Sequence, residues 1–166
     1  MISPDYVRRL ARYNAWQNAN LYAAAATLTD AQRKQATGAF FGSIHATFNH
    51  LLWADRMWMH RLAGWPKPEA PSIQAALGTI DAFDALRTAR VALDAAIETW
   101  AACLGPADLL GDLSWYSGAL KRDFFKPKWE VLVHVFNHQT HHRGQIHCML
   151  TQFGARPDDT DFAFMA

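Results

Sequence analysis

The sequence predicts an all-α four-helix bundle with a long irregular connection between its third and fourth helices. Three observations predict it. Four stretches of roughly 20 to 27 residues repeat apolar side chains at every third or fourth position. Each stretch is bounded by capping residues, glycine or proline. At about 1.5 Å per residue all four would run roughly 30 to 40 Å, and matched lengths suit a bundle. The 166 residues suit one domain covering 1–166.

The first helix is expected from Pro4 to about Leu28. Ser3 reads as its N-cap and Pro4 as its first residue. Val7, Leu10, Asn14, Leu21, Ala25 and Leu28 fall on one helical face. Thr29 with Gln32 then forms a capping-box pattern that opens a short turn. Gly38 and Gly42 precede a second helix from about Ser43 to Ala63, striped by Ile44, Phe48, Leu51, Asp55, Trp58 and Leu62. Gly64, Pro66, Pro68 and Pro71 mark a loop. A third helix is expected to start at about Ile73 or Thr79 and to run to Leu104, where Gly105-Pro106 stops it. Residues 107–126 read as irregular, with a weak extended signal at Leu113–Tyr116. Pro127 opens the last helix, which runs to Phe153 before Gly154 and Pro157. The tail after it carries no helical pattern.

Composition removes several functional classes. Hydrophobic residues at 51% with charged residues at 19% exclude a disordered chain. A net charge of +1 gives no basic field for nucleic acid. Lys121, Arg122, Lys126 and Lys128, interleaved with aromatics, read as a solvated loop. The N-terminus lacks the apolar core of a signal peptide, and no run approaches the roughly 18 apolar residues of a membrane span. The expected location is cytoplasmic, with no membrane partner. Cys103 and Cys148 form no CxxC motif and read as two free, mostly buried thiols.

The informative stretch is HVFNHQTHHRGQIHCML, residues 134–150. Along one face of this helix lie Val131, Val135, His138, His142, Ile146, Met149 and Phe153. Two imidazoles thus interrupt an apolar stripe. Buried imidazoles need partners. Their i, i+4 spacing puts their Cβ atoms about 6 Å apart, close enough for both rings to reach one ion. His134 with His138 has the same spacing but lies off the stripe's centre. A third ligand must come from elsewhere: His45, His50, His60 or a carboxylate. His50 is central in the second helix and meets the last helix most readily. Arg143 and Gln145 are candidates to support the ligand rings or to clamp a substrate. Asn49, Asn137 and Asp55 are weaker candidates for support. His45, His60, His141 and His147 read as ordinary or outward-facing residues. No GxSxG, Walker or dinucleotide motif occurs, and no Glu-x-x-His pair supports a di-iron site.

YNAWQN at 13–18, FNHLLWADRMWMHRLAG at 48–64 and FNHQTHHRGQIHCML at 136–150 together resemble the DinB-like family of damage-inducible four-helix metalloproteins. The resemblance covers almost the whole chain. It implies metal-ligand roles for His50, His138 and His142, and contributes to the choice of His50. It implies one divalent transition metal, nickel or zinc first, with iron and manganese admissible. It implies a homodimer and a small-molecule substrate. Some members use low-molecular-weight thiols, as in bacillithiol transferases and mycothiol-dependent maleylpyruvate isomerases. The expected activity is that of a metal-dependent thiol S-transferase or hydrolase, with Arg143 placed to hold a substrate carboxylate. Two other readings compete: a non-catalytic protein whose ion staples two helices, and a helical interaction module without an ion.

Overall fold

The computed structural model describes residues 2–165. Among these residues, four long helices carry the fold: α1 (Pro4–Ala26), α3 (Ile44–Ala63), α5 (Phe83–Ala102) and α6 (Lys128–Gln152). Two short helices, α2 (Asp30–Lys34) and α4 (Ile73–Ala76), lie in the connections. The termini follow local chemistry. Ser3, Ser43 and Ser72 each accept a backbone N–H of the turn they open, which satisfies a donor that the helix itself cannot. The Thr29–Gln32 capping box forms in both directions. Gly64, at φ 70°, closes α3 in the left-handed region that glycine enters without steric strain.

α1 packs against α5 and α6, and α3 packs against the same two helices. α1 and α3 therefore face each other across the core. Tyr22 stacks on Phe48 at 3.9 Å and on Phe83 at 5.7 Å, joining α1, α3 and α5. Val7, Leu21, Ile44, Leu51, Leu86, Ile146 and Leu150 are fully enclosed around them. Side-chain pairs set the helix directions. Arg8 donates to the Leu104 carbonyl, while Asn18 reaches Asp94, so α1 and α5 are antiparallel. Asn49 binds Ile80 and Asp55 binds Arg90, so α3 and α5 are parallel. His50 meets His138, and Trp58 meets His134, so α3 and α6 are antiparallel.

A parallel α3–α5 pair needs a connection that returns along the bundle, and residues 64–82 supply it. Pro66, Pro68 and Pro71 keep the part before α4 out of helix. Trp53 Nε1 donates to the Ala70 carbonyl at 2.9 Å. His60 Nδ1 lies 2.7 Å from the Trp65 carbonyl and His45 Nε2 lies 2.9 Å from that of Ile80. His45 and His60, read above as ordinary helix residues, satisfy the backbone of this loop. The third long helix starts at Phe83, later than Ile73 or Thr79. Asn49 holds both the N–H and the carbonyl of Ile80, and so takes the groups an earlier helix would use.

Residues 107–126 are more regular than expected. A 3₁₀ turn (Pro106–Leu109) leads into a hairpin of β1 (Asp112–Ser117) and β2 (Arg122–Pro127), paired from Asp112↔Pro127 to Ser117↔Arg122. Trp115 and Phe124 face each other on its inner side at 5.3 Å, and Trp115 reaches Trp58 on α3 at 5.5 Å. The hairpin thus crosses the end of the bundle between α5 and α6. Residues 158–160 lie along α1, where Asn20, Gln17 and Tyr13 bind their carbonyls. Both cysteines are exposed rather than buried. Cys148 lies on the outer face of α6, and Cys103 follows the last residue of α5. No helix among the described residues is long and apolar enough to cross a membrane.

The core also holds a chain of buried polar groups that touches all four long helices. Asn18 of α1 donates to Asp94 of α5, and Arg90 bridges Asp94 to Asp55 of α3 at 2.7 Å each. Gln139 of α6 donates to the other oxygen of Asp55.

Candidate metal centre

His50, His138 and His142 converge where α3 faces α6. Their candidate ligand nitrogens all lie within 4.8 Å of one another. His50 and His142 are buried, and His138 is half-buried. His50 Nε2 faces His138 Nε2 at 3.2 Å. Two nitrogens each about 2.0–2.1 Å from one tetrahedral ion would be roughly 3.3 Å apart, so this pair has the spacing that a shared ion requires. The other ring pairs are compact as well, with His142 4.8 Å from His50 and 4.5 Å from His138 between centroids.

Electrostatics keeps these rings in the form a metal needs. Desolvation, with the charge of His142 second, pushes the His50 pKa down to about 3. Desolvation and the neighbouring imidazoles push His138 down to about 3 as well. His142 is also lowered by desolvation, against which its bond to Gln145 acts. All three are therefore neutral at neutral pH and offer lone pairs. His142 Nδ1 donates to Gln145 Oε1 at 2.7 Å, which leaves its Nε2 unprotonated toward the cluster.

A consequence for the metal-free protein follows. Its folded histidines hold pKa values below the unfolded value of 6.5. The unfolded chain then binds more protons between those values, so stability is complete above pH 6.5 and falls on acidification. Each of the two rings adds a slope of up to about 1.4 kcal/mol per pH unit. Urea denaturation of metal-free protein between pH 7.5 and 5 measures it. A flat profile would contradict the buried, neutral rings.

The turn before α3 closes one side. Gly38 and Gly42, at φ 78° and 83°, let residues 37–42 fold tightly, with the Thr37 N–H donating to the Gly42 carbonyl at 2.8 Å. Phe41 then lies over His50 at 4.0 Å and near His142 at 5.1 Å. On the other side, His134 follows His138 at 5.7 Å and packs on Trp58 at 5.1 Å.

Of the sequence candidates, the structure brings together His50, His138, His142 and Gln145. Gln145 also donates to exposed His141 at 3.2 Å. Arg143 points elsewhere. It is buried between α6 and α1, donating to Asn14 and to Thr140, with Tyr13 beneath its guanidinium. The 100° step between neighbouring helix residues turns it away from His142. Asp55 serves the core through Arg90 and Gln139, and Asn49 serves the Ile80 loop. Phe41 and Trp115 escape sequence reading, because each approaches from outside the long helices, and Trp58 was legible only as part of the stripe of the second helix. The only local hint was the Gly-Ala-Phe-Phe-Gly pattern at 38–42.

Comparisons with known proteins agree with this architecture. The chain superposes on YfiT from Bacillus subtilis with a TM-score of 0.66 at 14% identity, covering 94% of this chain and 92% of that one. YfiT is described as a probable metal-dependent hydrolase with an unusual four-helix bundle topology. No curated protein matches the sequence. The DinB family model matches residues 1–166, and by that match the chain, with its four-helix fold, belongs to the DinB family.

Proposed function

We propose that the protein is a metal-dependent enzyme acting on a small molecule, with one divalent transition ion held by His50, His138 and His142. The observation that carries this reading is the convergence of three neutral imidazoles, two of them 3.2 Å apart at Nε2, with no carboxylate or thiolate in the set. Neutral ligands leave an ion its full positive charge. Bound there, such an ion supplies Lewis acidity, making a thiol or a water acidic enough to lose its proton at neutral pH. The chain's own residues do the rest. Gln145 fixes the tautomer of His142, Phe41 shields His50 from water, and half-buried His138 marks the side open to a substrate. The likeness to YfiT supports the hydrolase form of this reading. Resemblance to thiol-using members supports the S-transferase form. The nitrogen donor set accepts nickel and zinc, and also iron and manganese.

The test is elemental analysis of protein purified without a histidine tag, followed by ester hydrolysis and thiol–electrophile conjugation before and after chelation. About one ion per chain, with turnover lost on chelation and restored on reloading, is expected. Turnover that survives complete metal removal would refute the reading. A second reading is that the ion only staples α3 to α6, and it draws on the buried position of His50 and His142 between them. Chelation would then lower the melting temperature while neither assay shows turnover.

A further inference from the structure

Among the described residues Arg61 is a cation without an anion. It follows His50 by eleven residues on α3, which is three turns plus about 20°, so it shares the face of α3 that carries His50. Its guanidinium lies over Trp58 at 4.6 Å and also faces Trp115 of the hairpin at 5.7 Å. Trp58 touches His134, and His134 touches His138. A line of rings therefore runs from the three-histidine cluster to this cation along the α3–α6 edge. Arg8, Arg33, Arg87 and Arg90 each have an aspartate partner. Arg61 has none among the described residues. It is half-buried, and loss of water lowers its pKa with no acidic neighbour acting against that. A partly desolvated guanidinium without an acidic neighbour is less well stabilised than a paired one, and a carboxylate is its natural two-pronged partner. The indoles fix its plane, which reduces the ordering that binding would require.

We propose that Arg61, framed by Trp58 and Trp115, binds the carboxylate of a small acidic substrate whose reacting end lies at the His50–His138–His142 centre. This rests on the metal reading above and narrows it to acids. It also moves to Arg61 the carboxylate-holding role that the sequence suggested for Arg143. Eleven residues rise about 16 Å, and an arginine side chain on a helix leans back toward the N-terminus. The carboxylate and the reacting atom should thus be roughly 10 Å apart.

Isothermal calorimetry with zinc-loaded protein tests this, using 6-mercaptohexanoate against 6-mercaptohexanol. The two probes share a thiol for the ion and differ only in the far end. The acid should bind about tenfold tighter than the alcohol, as one charge-assisted contact would give. In Arg61→Gln that ratio should fall to about one. Equal affinities for the unsubstituted protein would overturn the proposal without any variant needing to fold. If neither thiol binds, the thiol form of the metal reading fails, and hexanoate against hexanol then judges Arg61 alone. Hexanoate binding that Arg61→Gln abolishes keeps the carboxylate site, and absence of binding to both proteins removes it.

Discussion

Replacing His138 with alanine should weaken divalent-metal binding by more than a hundredfold. Loss of a residue that merely supports a ligand ring typically lowers affinity 10–100-fold, and a ligand itself should exceed that. His138 is the most informative of the three because it is half-buried and faces His50 across 3.2 Å. Its removal leaves two imidazoles, too few to complete a tetrahedral site with one open position. Competition against a fluorescent chelator measures the affinity, and circular dichroism confirms the helices. The native protein should also melt higher with added zinc, since an ion that binds only the folded chain stabilises it by mass action. His138→Ala should lose that increment. Gln145→Leu should fall between the two, because only the orientation of His142 is lost. His147→Ala, on the same helix but outside the cluster, is the control. Unaltered affinity in His138→Ala would remove the ion from this site.

Arg90→Met should destabilise the fold by about 3–5 kcal/mol, because it leaves Asp55 and Asp94 buried without their shared cation. For a chain of this length that corresponds to a drop in melting temperature of roughly 6–20 °C. The loss has a pH signature. Desolvation already raises the Asp55 pKa, and Arg90 is the chief influence opposing it. Without Arg90 the folded-state pKa of Asp55 rises further above its unfolded value. Protonation then relieves the strain, so the variant should be closest to the native protein at pH 5 and furthest from it at pH 8. Adding Asp55→Leu and Asp94→Leu should recover part of the stability, as apolar replacements of buried ion groups often do. Thermal melts at the two pH values decide it. A loss below about 1 kcal/mol would mean that water reaches the pair as it does at a surface salt bridge.

Much of the fold was legible in local chemistry. Ser3, Pro4, the Thr29–Gln32 box and Gly64 act through hydrogen bonds and torsions within one or two turns, so the helix ends they set are sequence properties. The stripes of α1, α3 and α6 are equally local, and so is the i, i+4 pairing of His138 with His142. Where the boundaries moved, a distant partner was responsible. Phe83 became the start of α5 because Asn49, 31 residues before Ile80 in the chain, captured that residue. The hairpin at 112–127 ordered because Trp115 could pack on Trp58, a contact that the weak strand signal at Leu113–Tyr116 does not encode.

The sequence by itself determined four amphipathic helices and two histidines presented on one face of the last. That follows from the 3.6-residue repeat, which needs no knowledge of neighbours. Only the tertiary structure decided that α3 and α5 run parallel, that His50 meets the pair from the neighbouring helix, that Arg143 turns inward to Asn14, and that Arg61 has no acidic partner among the described residues. Each of these depends on which faces of different helices come together. A helical repeat fixes the direction of a side chain from its own axis and carries no information about what stands opposite.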